Sequence, residues 1–272
     1  MHGAAAPEVT NAMPEMQTPK LVILGSSSGS GSAQRSPSAY LLDLGERGVL
    51  IDCGDGAATR FLAAGYEPDW VSDIFISHTH ADHVGGLSYF VQLRYQTETR
   101  SSLTIHCPSE AIEPLQAIFS FGYLFPERLP FAVQYNALAA GGSCASADFT
   151  VTPYPTSHLA PHARVAAEHG YPNRGECFAF HIAVAGRTIL YSADIGALSD
   201  LDQVPRPIDW LLVETTHIDT DELWAWAAAR DIKRIILTHI ADDFDPGVVA
   251  AAPKYTTAGI VIAEDGMILP IV

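Results

Sequence analysis

The segment His78-Thr79-His80-Ala81-Asp82-His83 places three imidazoles and a carboxylate within six positions. It follows the apolar run Ile74-Phe75-Ile76 and precedes Val84-Gly85-Gly86-Leu87, the pattern of a strand-to-loop-to-helix junction. In extended or tightly turned backbone alternate residues point the same way, so His78 and His80 can converge on one metal. Asp82 and His83, where the chain bends toward the helix, are free to face a second metal beside it. Imidazole and carboxylate donors together suit zinc and similar divalent ions. Their density argues against a solvated loop that is merely rich in histidine.

Two metals need more ligands than one segment supplies, and strand ends are where a rigid scaffold delivers them. Three residues stand directly after apolar strands: His158 after Tyr154-Pro155-Thr156-Ser157, Asp194 after Tyr191-Ser192-Ala193, and His239 after Ile235-Ile236-Leu237-Thr238. Alone, each would read as a cap or turn residue. With the first cluster they divide into two shells. His78, His80 and His158 are assigned to one metal, and Asp82, His83 and His239 to the other. Asp194 bridges both, because a shared carboxylate holds two cations at the ~3.5–4 Å suited to joint activation of one water.

The rest of the chain reads as hairpins followed by strand–helix alternation. Hairpins are expected at Tyr40–Leu44/Val49–Asp52, Phe178–Val184/Thr188–Ser192 and Gly259–Ala263/Met267–Ile271. Helices are expected at Ala57–Ala64, Val84–Tyr95, Ser109–Ser120 and Glu222–Arg230, the first closed by Gly65. This order predicts two mixed sheets with helices outside, in a single domain over residues 21–272. Residues 1–20 lack periodicity and read as a flexible tail.

Composition narrows the function classes. With 272 residues and 48% hydrophobic content the chain can bury a large core. No apolar run approaches the ~18–20 residues needed to span a bilayer, and the first twenty residues lack a basic start followed by an apolar block. A cytoplasmic protein without membrane contact is expected. Four cysteines without CxxC spacing (Cys53, Cys107, Cys144, Cys177) exclude a thiolate zinc site and read as buried free thiols. A net charge of −16 disfavours broad attraction to nucleic acid. It leaves a phosphate substrate open, because two divalent cations would dominate the local field.

These motifs resemble the metallo-β-lactamase fold superfamily over nearly all of Leu21–Val272. Within it the chain is most similar to the ribonuclease Z and phosphodiesterase branch. The resemblance rests on Leu24-Gly25-Ser26, Arg35, Asp52-Cys53-Gly54-Asp55-Gly56, the HTHADH run and Tyr191-Ser192-Ala193-Asp194. Asp209-Trp210-Leu211-Leu212-Val213-Glu214 and Leu237-Thr238-His239 complete it. It implies an α/β (α+β) fold, a four-layer αββα sandwich with a dinuclear site on the shared rim of both sheets. It also implies a hydrolase in which a hydroxide bridging two metal ions attacks the scissile centre. Zn2+ is the expected metal, with Mn2+ or Fe as alternatives, and Asp82 orients or deprotonates the nucleophile.

The substrate class is less sharply marked. Glu214 matches a glutamate that supports a catalytic histidine in ribonuclease Z-like proteins. Here Val213 stands where that pattern often has histidine, and His217 follows three residues later. His217 is the candidate acid for the leaving group, with Glu214 anchoring a histidine. The tRNA-processing members carry a long arm. This chain has only 36 positions between His158 and Asp194, enough for a lid over residues 159–177. A small or short phosphodiester is therefore expected, and tRNA is disfavoured. Arg35, Arg164 and Arg174 are the candidate phosphate contacts, through bidentate hydrogen bonding. Alternatives are a lactone, thioester or other ester substrate on the same site, a non-catalytic metal-binding module, or redox chemistry at iron. The helix carrying Trp224 and Trp226 packs on a neighbouring element or on a second subunit in a homodimer.

Overall fold

The computed structural model describes residues 18–272; the tail expected over residues 1–17 lies outside the described residues. Lys20, assigned above to that tail, is already the first residue of a strand.

Two seven-stranded sheets form the molecule. The first contains β1 (Lys20–Gly25), β2 (Ala39–Asp43), β3 (Gly48–Cys53), β4 (Val71–Phe75), β5 (Leu103–Cys107) and β6 (Val133–Ala137). The second contains β7 (Cys144–Ala145), β8 (Phe149–Pro155), β9 (Phe178–Val184), β10 (Arg187–Tyr191), β11 (Trp210–Glu214), β12 (Arg234–Thr238) and β13 (Gly259–Ile262). The last strand, β14 (Ile268–Pro270), returns to pair with β1, giving the orders β14-β1-β2-β3-β4-β5-β6 and β13-β12-β11-β10-β9-β8-β7. Helices are α1 (Ala57–Ala63), α2 (Ala81–Val84), α3 (Leu87–Gln96), α4 (Ile112–Phe121), α5 (Ala163–His169) and α6 (Thr220–Ala228).

Alternation along the strands sorts side chains into three buried layers. Val22, Leu24, Leu41, Leu50 and Ile74 face Phe61 of α1, Phe90 and Val91 of α3 and Leu115 of α4. Ile23, Tyr40, Ile51 and Phe75 face Phe180, Ile182, Ile189 and Leu212 between the sheets. Leu190, Leu211, Val213, Ile235 and Leu237 face Leu223, Trp224 and Ala227 of α6. Each fully buried aliphatic or aromatic residue contributes about 1.5–3 kcal/mol. Helix, sheet, sheet and helix make the expected four-layer αββα sandwich.

Two expectations change. The third hairpin does not form: β13 pairs parallel with β12, whereas β14 pairs antiparallel with β1 in the other sheet. Between them Asp265 accepts hydrogen bonds from Ser26 N and Oγ and from Ser36 N, which tie the turn to the first sheet. Alternation alone does not say which sheet a strand joins. The expected helix over Val84–Tyr95 is broken at Gly85-Gly86, where the chain passes over β3. A Cβ at Gly86 would stand 2.2 Å from the carbonyl oxygen of Gly54, so only glycine permits the approach. Finally, Trp224 is fully buried against β11 and β12, and Trp226 lies 3.8 Å beneath the Arg230 guanidinium. Both rings therefore pack on neighbouring elements of the chain, one of the two expected placements.

Candidate metal centre

The strands that carry the site end abruptly. Asp52, Ala193 and His239 adopt left-handed backbone (φ 54°, 48° and 53°), which non-glycine residues rarely do and which costs of order 1–3 kcal/mol each. Each turns the chain at the same rim, where β3, β10 and β12 release their loops. The segment after β4 supplies His78 and His80, and α2 supplies Asp82 and His83.

The seven residues expected to hold metal come together. Donor atoms of His78, His80, His158 and Asp194 lie within 4.8 Å of one another, as do those of Asp82, His83, Asp194 and His239. Asp194 divides its oxygens between the groups. Oδ2 lies 3.8 Å from His78 Nε2 and 3.5 Å from His158 Nε2. Oδ1 lies 3.3 Å from His83 Nε2 and 3.4 Å from His239 Nε2. Asp82 Oδ2 adds contacts of 3.1 Å to His239 Nε2 and 3.4 Å to His83 Nε2.

Among the described residues, His78 Nε2, His83 Nε2 and Asp194 Oδ1 are buried without a hydrogen-bond partner. An unpaired buried polar atom costs about 1–3 kcal/mol, and three aimed at one another mark a place built for cations. Burial, reinforced by the neighbouring imidazoles, pushes the pKa of His78 well below its usual value, and burial also lowers those of His80 and His158. Neutral rings with free lone pairs are what a cation requires.

Asp52, not among the residues expected at the site, orients this cluster. Fully buried, it accepts hydrogen bonds from Ser77 N (2.7 Å), Ser77 Oγ (2.8 Å), His83 Nδ1 (2.7 Å) and Tyr191 Oη (2.7 Å). His78 Nδ1 in turn donates to Ser77 Oγ at 3.0 Å. With Nδ1 engaged in both rings, Nε2 of His78 and His83 is left for a cation. The readable signal was position: Asp52 closes an apolar strand, as Asp194 nearly does. Replacing it, Asp52→Asn, is expected to weaken zinc binding by about 10–100-fold, measured by competition against a chromogenic chelator; unchanged affinity would remove its orienting role.

Glu214 is buried and shares its carboxylate between Ile195 N (2.7 Å) and both the backbone N–H (2.9 Å) and Nδ1 (2.6 Å) of His217. That hydrogen bond, opposed by burial and assisted by the Glu214 charge, raises the His217 pKa. The ring stands at the open side of the cluster, with Nδ1 4.0 Å from Asp194 Oδ2 and its side chain 36% exposed.

The structure does not gather the three arginines at the centre. Arg35 donates to Ser26 Oγ (2.8 Å) and to the Ala263 carbonyl, joining the two sheets. Arg164 makes an exposed pair with Glu168 on α5, and Arg174 pairs with Glu176. Arg164 and Arg174 meet acids only four and two positions along the chain, whereas the Ala263 carbonyl lies 228 positions from Arg35. None of the three lines the cavity of about 260 Å³ beside His80, which is walled by Leu159, Ala163, Val165, Ala166, Tyr171 and His162. That wall is the expected lid, folded as a short 3₁₀ turn and α5.

The profile of the beta-lactamase superfamily domain matches residues 47–240. Ribonuclease Z of Bradyrhizobium diazoefficiens is 24% identical over 86% of this chain and 94% of its own length. Ribonuclease Z of Archaeoglobus fulgidus is 24% identical over 93% and 97%. Among solved structures, the metallo-beta-lactamase fold protein YhfI from Bacillus subtilis superposes with a TM-score of 0.74 at 20% identity, covering 93% of this chain and 99% of that one. The short form of human tRNase Z superposes with a TM-score of 0.70 at 20% identity, again over 93% and 99%. No helix among the described residues is long and apolar enough to cross a membrane. With the profile spanning most of the chain and the rim cluster at its centre, this protein belongs to the beta-lactamase superfamily.

Proposed function

We propose that the chain is a metal-dependent hydrolase of phosphodiesters and that its substrate is small. The observation that carries this reading is two four-residue donor groups sharing Asp194, beside a third in which Asp194 and His239 meet the Glu214–His217 pair. His78, His80 and His158 would hold one divalent cation, Asp82, His83 and His239 the other, and Asp194 both. When bound, the cations supply Lewis acidity, polarising the phosphoryl oxygen and acidifying water. Asp82, its Oδ2 turned into the centre, accepts the proton of the attacking water. Glu214 fixes His217 through Nδ1, which leaves Nε2 to protonate the departing oxygen.

A small substrate is supported by three observations. The net charge is −16, none of the three arginines lines the cavity beside His80, and that cavity is walled mainly by apolar groups. Such a pocket suits one uncharged organic group of the diester. Tyr171→Ala is therefore expected to raise KM about tenfold, worth ~1.4 kcal/mol of lost apolar contact, with kcat within about twofold. An equal fall in kcat would place Tyr171 in the chemistry instead.

RNA 3′ processing is a second reading, favoured by the Ribonuclease Z relatives that match over nearly their whole length. Turnover of bis(p-nitrophenyl) phosphate, a dinucleotide, a precursor tRNA, a lactone and a thioester by zinc-loaded protein separates the readings. Diester cleavage with little activity on precursor tRNA supports the proposal. Faster lactone or thioester turnover would overturn it.

A further inference from the structure

The lid over the cavity beside His80 has almost no core of its own. Of residues 160–174, Ala166 alone is buried, so apolar burial does little to hold the segment in place. Its two ends meet instead. A Cβ on Gly175 would stand 3.6 Å from the Cβ and the carbonyl oxygen of Leu159, so the lid begins and ends at one point of the rim.

A clasp of carboxylates and amides closes that point. Glu110, on the short 3₁₀ turn Ser109–Ala111 after β5, accepts from Glu176 N through Oε1 (3.0 Å) and from Arg174 N through Oε2. Gly175 stands between those two amides with φ 71°, and a left-handed residue in that place lets the flanking N–H groups converge on one anion. The Glu176 carboxylate returns the bond, accepting from Ser109 N (2.5 Å) and Ser109 Oγ (2.8 Å). Arg174 adds its side chain, donating to Ser109 Oγ and, at 3.0 Å, to Glu176 Oε1. Apart from the turns that open the lid at Ser157 and Leu159, every hydrogen bond from residues 160–176 to the rest of the described chain runs to Ser109 or Glu110.

The clasp is also part of the cavity. Glu110, Asn173 and Gly175 line it together with Tyr171. Tyr171 and Asn173 stand just before Arg174 in the chain, so the place of this wall depends on where the clasp holds the segment. Glu110 belongs to none of the donor groups at the metal centre.

We propose that Glu110 is a positioning residue for substrate: by fastening Arg174 and Glu176 it presents the Tyr171 wall to the uncharged organic group of the diester. This rests on the cavity beside His80 being the seat of that group. Loss of the carboxylate frees the two amides and the wall with them, which weakens binding of the group and leaves the chemical step as it was.

Zinc-loaded full-length Glu110→Ala, assayed on phenyl and methyl p-nitrophenyl phosphate, tests this. The two diesters share a leaving group and differ in the arm that the cavity would hold. KM for the phenyl diester is expected to rise about tenfold and KM for the methyl diester to change less than about twofold, with kcat on each within about twofold. Adding E110A to Y171A should cost little more than Y171A alone, because both act on one wall. Hydrogen exchange read by mass spectrometry is independent of turnover: protection of the Arg174 and Glu176 amides should fall about tenfold or more in E110A. Glu110→Gln keeps one acceptor and should show both effects at smaller amplitude, which serves also if E110A does not fold. A raised phenyl-diester KM in Y171A with no change in E110A and E110Q would overturn the role of Glu110 and leave the cavity its substrate. Equal losses on the two diesters in E110A would overturn it as well. No change of KM in Y171A and E110A alike would overturn the reading of the cavity, and the proposal with it.

Discussion

Replacing the shared carboxylate, Asp194→Ala, is expected to abolish turnover of bis(p-nitrophenyl) phosphate, by on the order of 10³-fold or more. Lewis-acid stabilisation by two cations is worth several kcal/mol, and each ~1.4 kcal/mol is tenfold in rate. Bound zinc should fall from two equivalents to one or fewer, because Oδ1 and Oδ2 face different histidine groups. The conservative Asp194→Asn keeps the shape and loses the charge, and should fail nearly as badly. Plasma emission spectrometry of the purified variants reads the stoichiometry. Two equivalents of zinc with unchanged turnover in D194A would remove Asp194 from the site altogether.

The second large effect separates proton donation from metal binding. If His217 protonates the leaving group, His217→Ala should lower kcat about 10²–10³-fold on an alkyl or nucleoside diester, whose leaving oxygen needs a proton. On bis(p-nitrophenyl) phosphate the loss should be less than about tenfold, since p-nitrophenolate departs unaided. Glu214→Gln should show the same selectivity at smaller amplitude, because it only orients His217 through the 2.6 Å bond. Equal losses on both substrates would show that the pair supports the metals rather than the departing oxygen. Zinc content unchanged in H217A is the control that keeps the two explanations apart.

Legibility in the sequence followed the range of the contacts. The expected hairpin strand Phe178–Val184 matches its observed bounds, and the apolar runs quoted before Glu214 and His239 form the strands Trp210–Glu214 and Arg234–Thr238. The last two runs are continuous and end at polar residues, so burial and termination are written locally. The HTHADH run was readable for the same reason: backbone alternation over six residues already sets which imidazoles can meet. His158, Asp194 and His239 were found by analogy of position, each beyond a strand that points at one rim.

What failed depended on partners far along the chain. Asp52 serves Ser77, His83 and Tyr191, which lie 25, 31 and 139 positions away. Nothing near Asp52 announces them. Arg35, expected to make bidentate phosphate contacts, instead meets the Ala263 carbonyl across 228 positions.

The sequence by itself determined the candidate metal donors and the layered class of the fold, because both rest on short-range periodicity and donor type. Only the tertiary structure decided how Asp194 divides its oxygens, which groups hold the imidazoles in place, and which arginines are already engaged. Those are matters of direction and distance between strands, and hydrogen bonds and ion pairs act over a few ångströms that chain order does not encode.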